Sequence, residues 1–335
     1  MAQKRILVIS SANVDFVQQM RRVPYAGETV SEPDLGYDYL PGGKGANSAI
    51  SFARFGADCV FQCKVGRDSG AKRLLSMYRA EGIDTRYISE DETLPTGLAS
   101  ILVEENGKNR IIVYPGANSA LNAEDVEEAF NCYPDAVFVQ FEIPDEAVIE
   151  ASRRADEAGI PLFIDAGPAR LDYPLDKLGK VEIFSPNETE TRVFTGITPS
   201  SEENCLRAAI KLRAQVDAKY IVIKLGERGA FIYDGREYFV VPAEKVTPVD
   251  TTAAGDVFTA VMTYVYLQNG NILSAVKYAT CAAAISVTRA GASPSVPTVG
   301  EVLAYVKNKL AAESAAKESA IGSEYGDFDT EEEDY

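Results

Sequence analysis

The sequence contains one segment that places an acidic residue behind a run of small residues at the predicted start of an apolar helix. Residues 249–258 read VDTTAAGDVF, so Ala253, Ala254 and Gly255 directly precede Asp256. Small side chains allow backbone N–H groups to approach a ligand, and a helix N-terminus attracts anions. A carboxylate beside a bound anion could accept the proton of an attacking hydroxyl group. The simpler interpretation is an acidic residue that only favours a helix start, but the small residues before it favour a catalytic base.

A second glycine-rich segment, PGGKGAN at residues 41–47, also precedes a predicted helix. Lys44 is followed by Gly45 rather than Ser or Thr, so the magnesium-binding hydroxyl of a P-loop is missing. The three spaced glycines of a dinucleotide fingerprint are absent as well. The segment therefore predicts a turn that a ligand can approach closely, with Lys44 and Asn47 as hydrogen-bond donors for sugar hydroxyls.

Further polar residues follow predicted strands, where ligands bind in open parallel sheets. Asn13 and Asp15 come after the first strand and point the same way, so together they could bind vicinal hydroxyls. Gln140 and Glu142 end another strand in the same manner. Because Asn and Asp also end strands as ordinary turn formers, these residues gain meaning only in combination with the glycine-rich segments.

Two segments fit a nucleotide site. Residues 185–190 read SPNETE and place Asn187 and Glu190 one turn apart at a predicted helix start. Residues 224–230 read KLGERGA, a loop bounded by glycines after a strand, which suits the close approach of phosphate or ribose. Either string alone is more often a plain turn.

Composition excludes several classes of function. The 335-residue chain has no histidine, which rules out a Ser-His-Asp triad, a Cys-His pair and any zinc site with a His ligand. Five scattered cysteines show no zinc spacing and predict reduced, buried thiols. The net charge is −17, and residues 313–335 hold nine acidic residues and one lysine, which leaves −9 elsewhere. Neither part offers the basic surface that nucleic acid requires. We expect a cytoplasmic protein, because neither a membrane span nor a signal peptide is evident.

Short apolar runs alternate with helical patterns along most of the chain. Strands are predicted at residues 6–9, 57–65, 136–139, 161–164, 181–184 and 220–224, and helices at 47–55, 124–130, 254–268, 272–289 and 298–312. This alternation predicts an α/β fold with a doubly wound, mostly parallel sheet and helices on both faces. Two turn-rich regions, about 16–40 and 96–114, predict a small antiparallel β flap. We expect one domain over residues 1–312 and an acidic disordered tail at 313–335.

Together these segments resemble the ribokinase branch of the PfkB carbohydrate-kinase family, over residues 4–310 and in the family's order. Residues 42–47 look like its N-terminal signature and residues 250–258 like its C-terminal one, with Ala253 where glycine is commoner. The resemblance implies a ribokinase-like fold. It also implies ATP-dependent phosphorylation of D-ribose on its primary O5 hydroxyl, which gives ribose 5-phosphate.

The resemblance implies roles for individual residues as well. Asp256 would be the general base, and the amides of Ala253, Ala254, Gly255 and Asp256 would form an anion hole. The sugar would be held by Asn13, Asp15, Gly43, Lys44, Asn47, Glu142 and Asp256. The ATP site would be lined by Asn187, Lys224, Gly226, Arg228, Gly229, Gly255 and Thr280, and Glu190 would hold Mg²⁺ through water. A K⁺ site would lie near Asp250, Thr252, Ser286, Arg289, Gly291 and Ser295.

Other functions fit part of the pattern. A different PfkB kinase, acting on deoxyribose, a nucleoside or fructose, would keep the same catalytic half. A sugar-sensing pseudokinase would bind without transfer, although Asp256, Lys44 and Glu190 favour catalysis. The expected partners are a small sugar and ATP, with neither nucleic acid nor a membrane, and we expect a homodimer formed through the β flap.

Overall fold

The computed structural model of the chain describes residues 3–32, 34–106 and 108–324, with side chains through residue 312. The strands are β1 (Arg5–Ile9), β2 (Asn13–Met20), β3 (Tyr37–Gly42), β4 (Asp58–Gln62), β5 (Lys64–Gly66), β6 (Ser89–Asp91), β7 (Gly97–Glu104), β8 (Asn109–Tyr114), β9 (Ala136–Gln140), β10 (Leu162–Asp165), β11 (Val181–Ser185), β12 (Ala218–Lys224), β13 (Ala230–Tyr233) and β14 (Tyr238–Val241). The α-helices are α1 (Lys44–Arg54), α2 (Ser69–Ala80), α3 (Ala123–Ala129), α4 (Asp145–Ala158), α5 (Glu188–Thr195), α6 (Glu202–Arg213), α7 (Ala254–Asn269), α8 (Ile272–Val287) and α9 (Val299–Glu324).

The main sheet has eight strands in the order β14-β13-β12-β11-β10-β9-β1-β4. Neighbouring strands from β12 to β4 run parallel, and β13 and β14 complete one edge in antiparallel pairing. Every residue of β9 and β10 is buried, as expected of parallel strands covered on both faces. The predicted doubly wound, mostly parallel fold is confirmed.

Helices cover both faces of the main sheet and create two apolar cores. One core joins α1, α7 and α8 to the sheet, and the other joins α4 and α6 to the opposite face. Phe138 of β9 contributes to the first core and Val139 to the second, because successive strand residues point to opposite faces. All five cysteines are buried and free, as predicted.

The predicted β flap is a separate four-stranded sheet with the order β3-β2-β7-β8. The β2–β3 and β7–β8 pairs are antiparallel, whereas the central β2–β7 pair is parallel. This pair departs from the antiparallel expectation because β2 and β7 both begin beside the main sheet, where Asn13 pairs with Gly97, and run outward together. Asn13 and Asp15 thus open the flap instead of ending the first strand.

Two other boundaries differ from the predictions. The run at 57–65 divides, because β4 stays in the main sheet while β5 pairs with β6 in a two-stranded sheet of its own. Helix α9 continues past the predicted end at residue 312, since the Ala, Glu and Lys residues of 311–320 are strong helix formers. The helix thus includes residues 313–324 of the tail for which disorder is predicted, and the rest of that tail lies outside the described residues. Across the described ranges, none of the helices is both long and apolar enough to cross a bilayer.

Candidate active site

The predicted chemical groups meet at the carboxyl edge of the main sheet. Gln140, Asp165 and Lys224 are the last residues of β9, β10 and β12, and all three side chains point toward the N-terminus of α7. This edge is where the doubly wound fold binds ligands, because its strands end together there. A surface cavity of about 640 Å³ lies at the opposite edge, near Lys180 and Lys219, and none of the predicted residues lines it.

Asp256 is buried in the first turn of α7, with 4% of its surface exposed. Its Oδ2 accepts a hydrogen bond of 2.8 Å from Asn47 Nδ2, and its Oδ1 lies 3.4 Å from both Lys44 Nζ and Gln140 Nε2. Burial raises the pKa of Asp256 above its ordinary value, although Lys44 opposes the shift. A carboxylate with a raised pKa is a stronger proton acceptor.

The backbone before Asp256 forms an open N-terminus. Ala253 caps α7 with a left-handed φ of 62°, which costs an alanine roughly 1 kcal/mol relative to glycine. The Ala254 amide reaches Thr251 O at 3.3 Å, whereas the amides of Gly255 and Asp256 have no hydrogen-bond partner within the described residues. The amide of Ala253 also has no hydrogen-bond partner in this part of the described structure, so three of the four amides predicted for the anion hole are unpaired. Unpaired donors at a helix N-terminus are suited to an anion, and the anion hole itself stays a prediction.

Asp165 and Gln140 complete the site. Sequence analysis noted Gln140 only as a polar residue at a strand end and did not single out Asp165. Asp165 is 1% exposed and accepts from Lys224 Nζ and, at 3.0 Å, from Gln140 Nε2. Burial alone would raise the pKa of Asp165, but Lys224 and Lys44 outweigh it and hold the pKa below its usual range. A single Asp after an apolar strand carries no signal that separates it from a turn former.

Lys44 and Glu142 are joined at the start of α1. Gly43 caps this helix with φ 86°, a backbone conformation that suits glycine, and Lys44 N donates to Glu142 Oε2 at 3.0 Å. The hydroxyl of Ser11 donates to the same carboxylate oxygen. Asp256, with smaller contributions from other acidic groups, raises the pKa of Lys44, so its ammonium stays charged. Asn47 Oδ1 is buried without a partner in the described structure, which leaves an acceptor for a substrate hydroxyl.

Asn13 and Asp15 line the base of the flap. Asn13 Oδ1 accepts from Asn118 Nδ2 at 2.8 Å, and a Cβ on Gly42 would come within 1.9 Å of the Asp15 carboxylate. Only a glycine at 42 therefore leaves room for that carboxylate. Burial, with a contribution from the carboxylates of Glu142 and Asp256, raises the pKa of Asp15 to about 7.

Asn187 and Glu190 form a capping box at the start of α5. Asn187 Oδ1 accepts from Glu190 N at 2.9 Å, and Glu190 Oε2 accepts from Asn187 N at 2.7 Å. The predicted one-turn spacing is thus explained first by a local motif. The second Glu190 oxygen faces Gly167, where a Cβ would lie 2.2 Å from it. Glu190 is buried and makes no salt bridge among the described residues.

The predicted nucleotide loop follows β12 and contacts the Asn187 segment. Lys224 N donates to Pro186 O at 2.9 Å, and Arg228 pairs with Glu188 in a salt bridge of 2.5 Å. Gly226 and Gly229 have positive φ values of 55° and 92°, which the tight loop requires. Thr280 makes its hydrogen bond within α8, where its hydroxyl donates to Lys277 O.

The residues of the predicted K⁺ site lie on residues 286–295, here called the cation loop, and on Asp250 and Thr252, which directly precede the predicted anion hole. Asp250 Oδ1 accepts from Thr252 N and Oγ1 at 2.9 and 2.6 Å, and Oδ2 accepts from Gly291 N at 2.9 Å. Burial opposes ionisation, but these hydrogen bonds together hold the pKa of Asp250 below its usual range. The hydroxyls of Ser286 and Ser295 lie 2.9 Å apart. The guanidinium of Arg289 points elsewhere, to Glu301.

The geometry combines three capabilities in one place. The free amides of α7 can bind an anion, Asp256 can accept a proton, and the polar groups of Lys44, Asn47 and Asp15 can bind hydroxyls. Transfer of a phosphoryl group to an alcohol requires all three.

Comparisons with known proteins agree with this chemistry. The chain matches the model of the pfkB family carbohydrate kinases over residues 3–299. It is 35% identical over 303 residues to a bifunctional ribokinase/ribose-5-phosphate isomerase A of Fructilactobacillus sanfranciscensis, a match that covers 90% of this chain and 56% of that protein. It is 32% identical to a ribokinase of Haemophilus influenzae, with 91% and 99% covered. It is 31% identical to a deoxyribokinase of Salmonella typhi, with 90% and 98% covered.

A solved structure gives the same result. The structure of Arabidopsis thaliana ribokinase complexed with ribose and ATP is similar to this chain with a TM-score of 0.82 at 30% identity, covering 91% of this chain and 99% of that one. The family model and these relatives span nearly the whole described domain. The chain therefore belongs to the PfkB family of carbohydrate kinases.

Proposed function

We propose that this carbohydrate kinase transfers the γ-phosphoryl group of ATP to the primary O5 hydroxyl of D-ribose. The observation that carries the proposal is the buried Asp256 carboxylate beside the unpaired amides of Gly255 and Asp256, with Lys44 and Asn47 in contact. Relatives named ribokinase and a ribokinase structure with ribose and ATP support the choice of substrates. The cytoplasmic location remains a prediction.

Each group in the site has one role in the transfer step. The acceptor hydroxyl donates its proton to Asp256 as its oxygen forms a bond to the γ-phosphorus. The bond from that phosphorus to the β–γ bridging oxygen breaks, and ADP leaves with the electron pair. The amides of Gly255 and Asp256 bind the phosphoryl oxygens as negative charge develops on them.

Sugar binding depends on the base of the flap. Asp15 and Asn13 supply acceptors for vicinal hydroxyls, and Lys44 and the free Asn47 oxygen supply a donor and an acceptor close to Asp256. Glu142 Oε2 holds the Lys44 backbone amide, and the contact of Glu142 with the sugar stays a prediction. Gly43 has a positive φ, which allows the chain to turn into α1 beside the position proposed for the sugar.

The same residues discriminate between possible acceptors, which gives the first test. We expect kcat/KM for ribose to exceed that for adenosine by at least about tenfold, or about 1.4 kcal/mol, because the polar contacts suit a small polyol. Deoxyribose and fructose are measured beside them, since one relative is named deoxyribokinase. A preference for adenosine, or for deoxyribose over ribose, would contradict the proposed substrate.

Glu190 is suited to a magnesium ion that accompanies the triphosphate. Its buried carboxylate forms no salt bridge in the described structure, and one oxygen faces the space at Gly167. Within the described residues there is no cluster of three or more acidic or cysteine side chains that could hold a metal. These residues therefore fit a magnesium ion that is held mainly by phosphates and water. Such an ion would neutralise charge on the phosphates. Asn187 orients Glu190 through the capping box.

The cation loop is suited to potassium. Asp250 forms no salt bridge among the described residues, and its carboxylate joins Thr252 to Gly291 directly before the anion hole. The hydroxyls of Ser286 and Ser295 would add neutral oxygen ligands, which hard cations favour. Bound there, the ion would compensate the Asp250 charge.

We expect potassium to activate the enzyme. Asp250 connects the cation loop to the segment that leads into α7, so an ion that orders the loop would also hold the amides of α7 in place. Activity should rise when potassium chloride replaces the chloride of a large organic cation at equal ionic strength. Asp250→Asn should reduce the difference between the two salts. Equal rates of the unmodified protein in both salts would exclude this role.

We propose that the flap also forms a homodimer. Strand β8 is an edge strand whose apolar side chains are exposed, with Ile112 at 50% and Tyr114 at 56%. An edge of this kind favours pairing with another chain. Sedimentation should show a dimer, and Ile112→Lys should shift it toward the monomer, because the lysine would be desolvated at the interface. A monomer at micromolar concentrations of unmodified protein would contradict the proposal.

A further inference from the structure

Lys224 holds its ammonium group directly beside the first turn of α7. The side chain is only 11% exposed, and Nζ donates to Asp165 and, at 3.2 Å, to Thr259 Oγ1. A Cβ placed on Gly255 would lie 3.8 Å from Nζ, an ordinary van der Waals contact. The cation is therefore next to the unpaired amides of Gly255 and Asp256, where an anion would bind.

Asp165 connects this cation to the candidate base. One carboxylate oxygen accepts from Lys224, and the other accepts from Gln140 Nε2 at 3.0 Å. The same amide nitrogen lies 3.4 Å from Asp256 Oδ1. Loss of one partner from a buried ion pair leaves an uncompensated charge, so each charge strongly constrains the other. The position of Asp165 thus fixes both the ammonium and the amide that reaches the base.

We propose that Asp165 is a positioning residue for phosphoryl transfer, which holds the Lys224 ammonium on the transferred group and, through Gln140, orients the Asp256 carboxylate. The inference rests on the proposed function. The resemblance only places Lys224 in the lining of the ATP site, whereas this proposal places its ammonium group on the phosphoryl group that is transferred. As the acceptor oxygen bonds to the γ-phosphorus and ADP departs, Lys224 neutralises charge on the phosphoryl oxygens. Asp165 itself touches neither reactant.

The alternative is that the pair only stabilises the fold, and the same sheet supplies a matched control. Lys219 and Glu182 form a second lysine–carboxylate pair, with 2.5 Å between Nζ and Oε1, near the amino ends of β12 and β11. Lys219 is about half exposed and lies at the edge of the sheet opposite to the candidate active site. Lys219→Met therefore removes a lysine of the same strand without approaching the reaction.

The first measurement is steady-state kinetics on the holoenzyme with magnesium and ATP. Asp165→Asn and Lys224→Met should each lower kcat about 10- to 100-fold, with the sugar KM within about twofold. The double variant should be no slower than Lys224→Met alone, because the two residues act as one unit. Lys219→Met should stay within about twofold of the parent. Asp165→Asn turning over as fast as this control, or fully multiplicative losses in the double variant, would overturn the proposal.

The pH dependence of kcat separates positioning from stabilisation. The charged groups that face Asp256 are Lys44 from α1, Asp165 from β10, Lys224 from β12 and Asp15 from β2. The negative charge of Asp165 raises the pKa of Asp256, and the positive charge of Lys224 lowers it. The acidic limb should therefore move to lower pH in Asp165→Asn and to higher pH in Lys224→Met, each by about half a unit or more. Unmoved limbs in both folded variants would overturn the proposal even if kcat falls.

These measurements can refute the role of Asp165 without refuting the proposed function. Rates are compared with the parent on whichever sugar it phosphorylates fastest, so a preferred sugar other than ribose would refute only the proposed substrate. A parent protein without kinase activity would refute both. Lys224→Met leaves Asp165 in contact with Gln140 and provides the second variant if Asp165→Asn does not fold.

Discussion

Asp256→Asn is expected to lower kcat by about a hundredfold to ten-thousandfold, or roughly 3–5 kcal/mol of barrier, because an amide cannot take up the acceptor proton. The asparagine keeps the size of the side chain and can still accept the hydrogen bond from Asn47. The helix N-terminus and its free amides stay in place, so ATP affinity should be unchanged or higher. Single-turnover rates and nucleotide binding would measure the two effects separately.

A matched control tests whether Asp256 merely favours the start of its helix. Asp145 also lies in the first turn of a helix, α4, where it pairs with Arg170 on the surface. Asp145→Asn should leave kcat within about twofold, as expected of a helix-dipole contact. If Asp256→Asn also turned over within about fivefold of the parent, the general-base role would be wrong.

At pH 8, above the pKa of about 7 for the Asp15 carboxyl, Asp15→Asn is expected to raise the KM for the sugar by about 10- to 100-fold, because a hydroxyl binds a charged acceptor more strongly than a neutral one. The effect on kcat should be smaller, since Asp15 lies away from the transferred proton. Asp38→Asn provides the control, because Asp38 is exposed on β3, which pairs with β2. Equal KM values for the two variants would exclude Asp15 from sugar binding.

The same substitution should change the pH dependence of stability. The folded-state pKa of Asp15, about 7, lies above its unfolded value of 3.8. The folded protein therefore binds this proton more tightly, and the stability that results is complete below pH 3.8 and lost as pH rises through 7. At pH 8, the free energy of unfolding of Asp15→Asn should exceed that of the parent by roughly 2–4 kcal/mol, so the variant is the more stable protein. The difference should shrink toward pH 4 in urea titrations, and a difference independent of pH would contradict the assignment.

Local patterns were enough to predict the parts of the site that adjoin each other in the chain. Small residues before Asp256 predicted a helix from residue 254, where α7 begins, whereas the helix predicted from residue 47 begins three residues earlier, at Lys44. Alternating apolar runs predicted the parallel sheet, because each buried strand is short and uninterrupted. The turn-rich region at about 96–114 similarly predicted antiparallel strands, and the antiparallel β7–β8 pair is observed there.

Contacts that depend on strand order were beyond the sequence. Asp165 and Gln140 each end an apolar strand like many turn residues, and only the β12-β11-β10-β9 order brings them between Lys224 and Asp256. Asn118 likewise reaches Asn13 across a long sequence separation. For Asn187 and Glu190 a readable signal existed, since Asn and Glu three residues apart indicate a capping box. Its relation to a metal depends on the fold around it.

Proton-coupled ³¹P NMR of the reaction product tests the central claim most directly. The protein is incubated with ATP, magnesium and ribose, and the phosphomonoester signal is recorded with coupling to its neighbouring protons. Transfer to the primary O5 hydroxyl, with Asp256 accepting its proton, predicts a triplet, because that carbon carries two protons. The signal should be absent with Asp256→Asn over the same period. A doublet would place the phosphate on a secondary or anomeric hydroxyl, and an unchanged triplet with Asp256→Asn would contradict the proposed base.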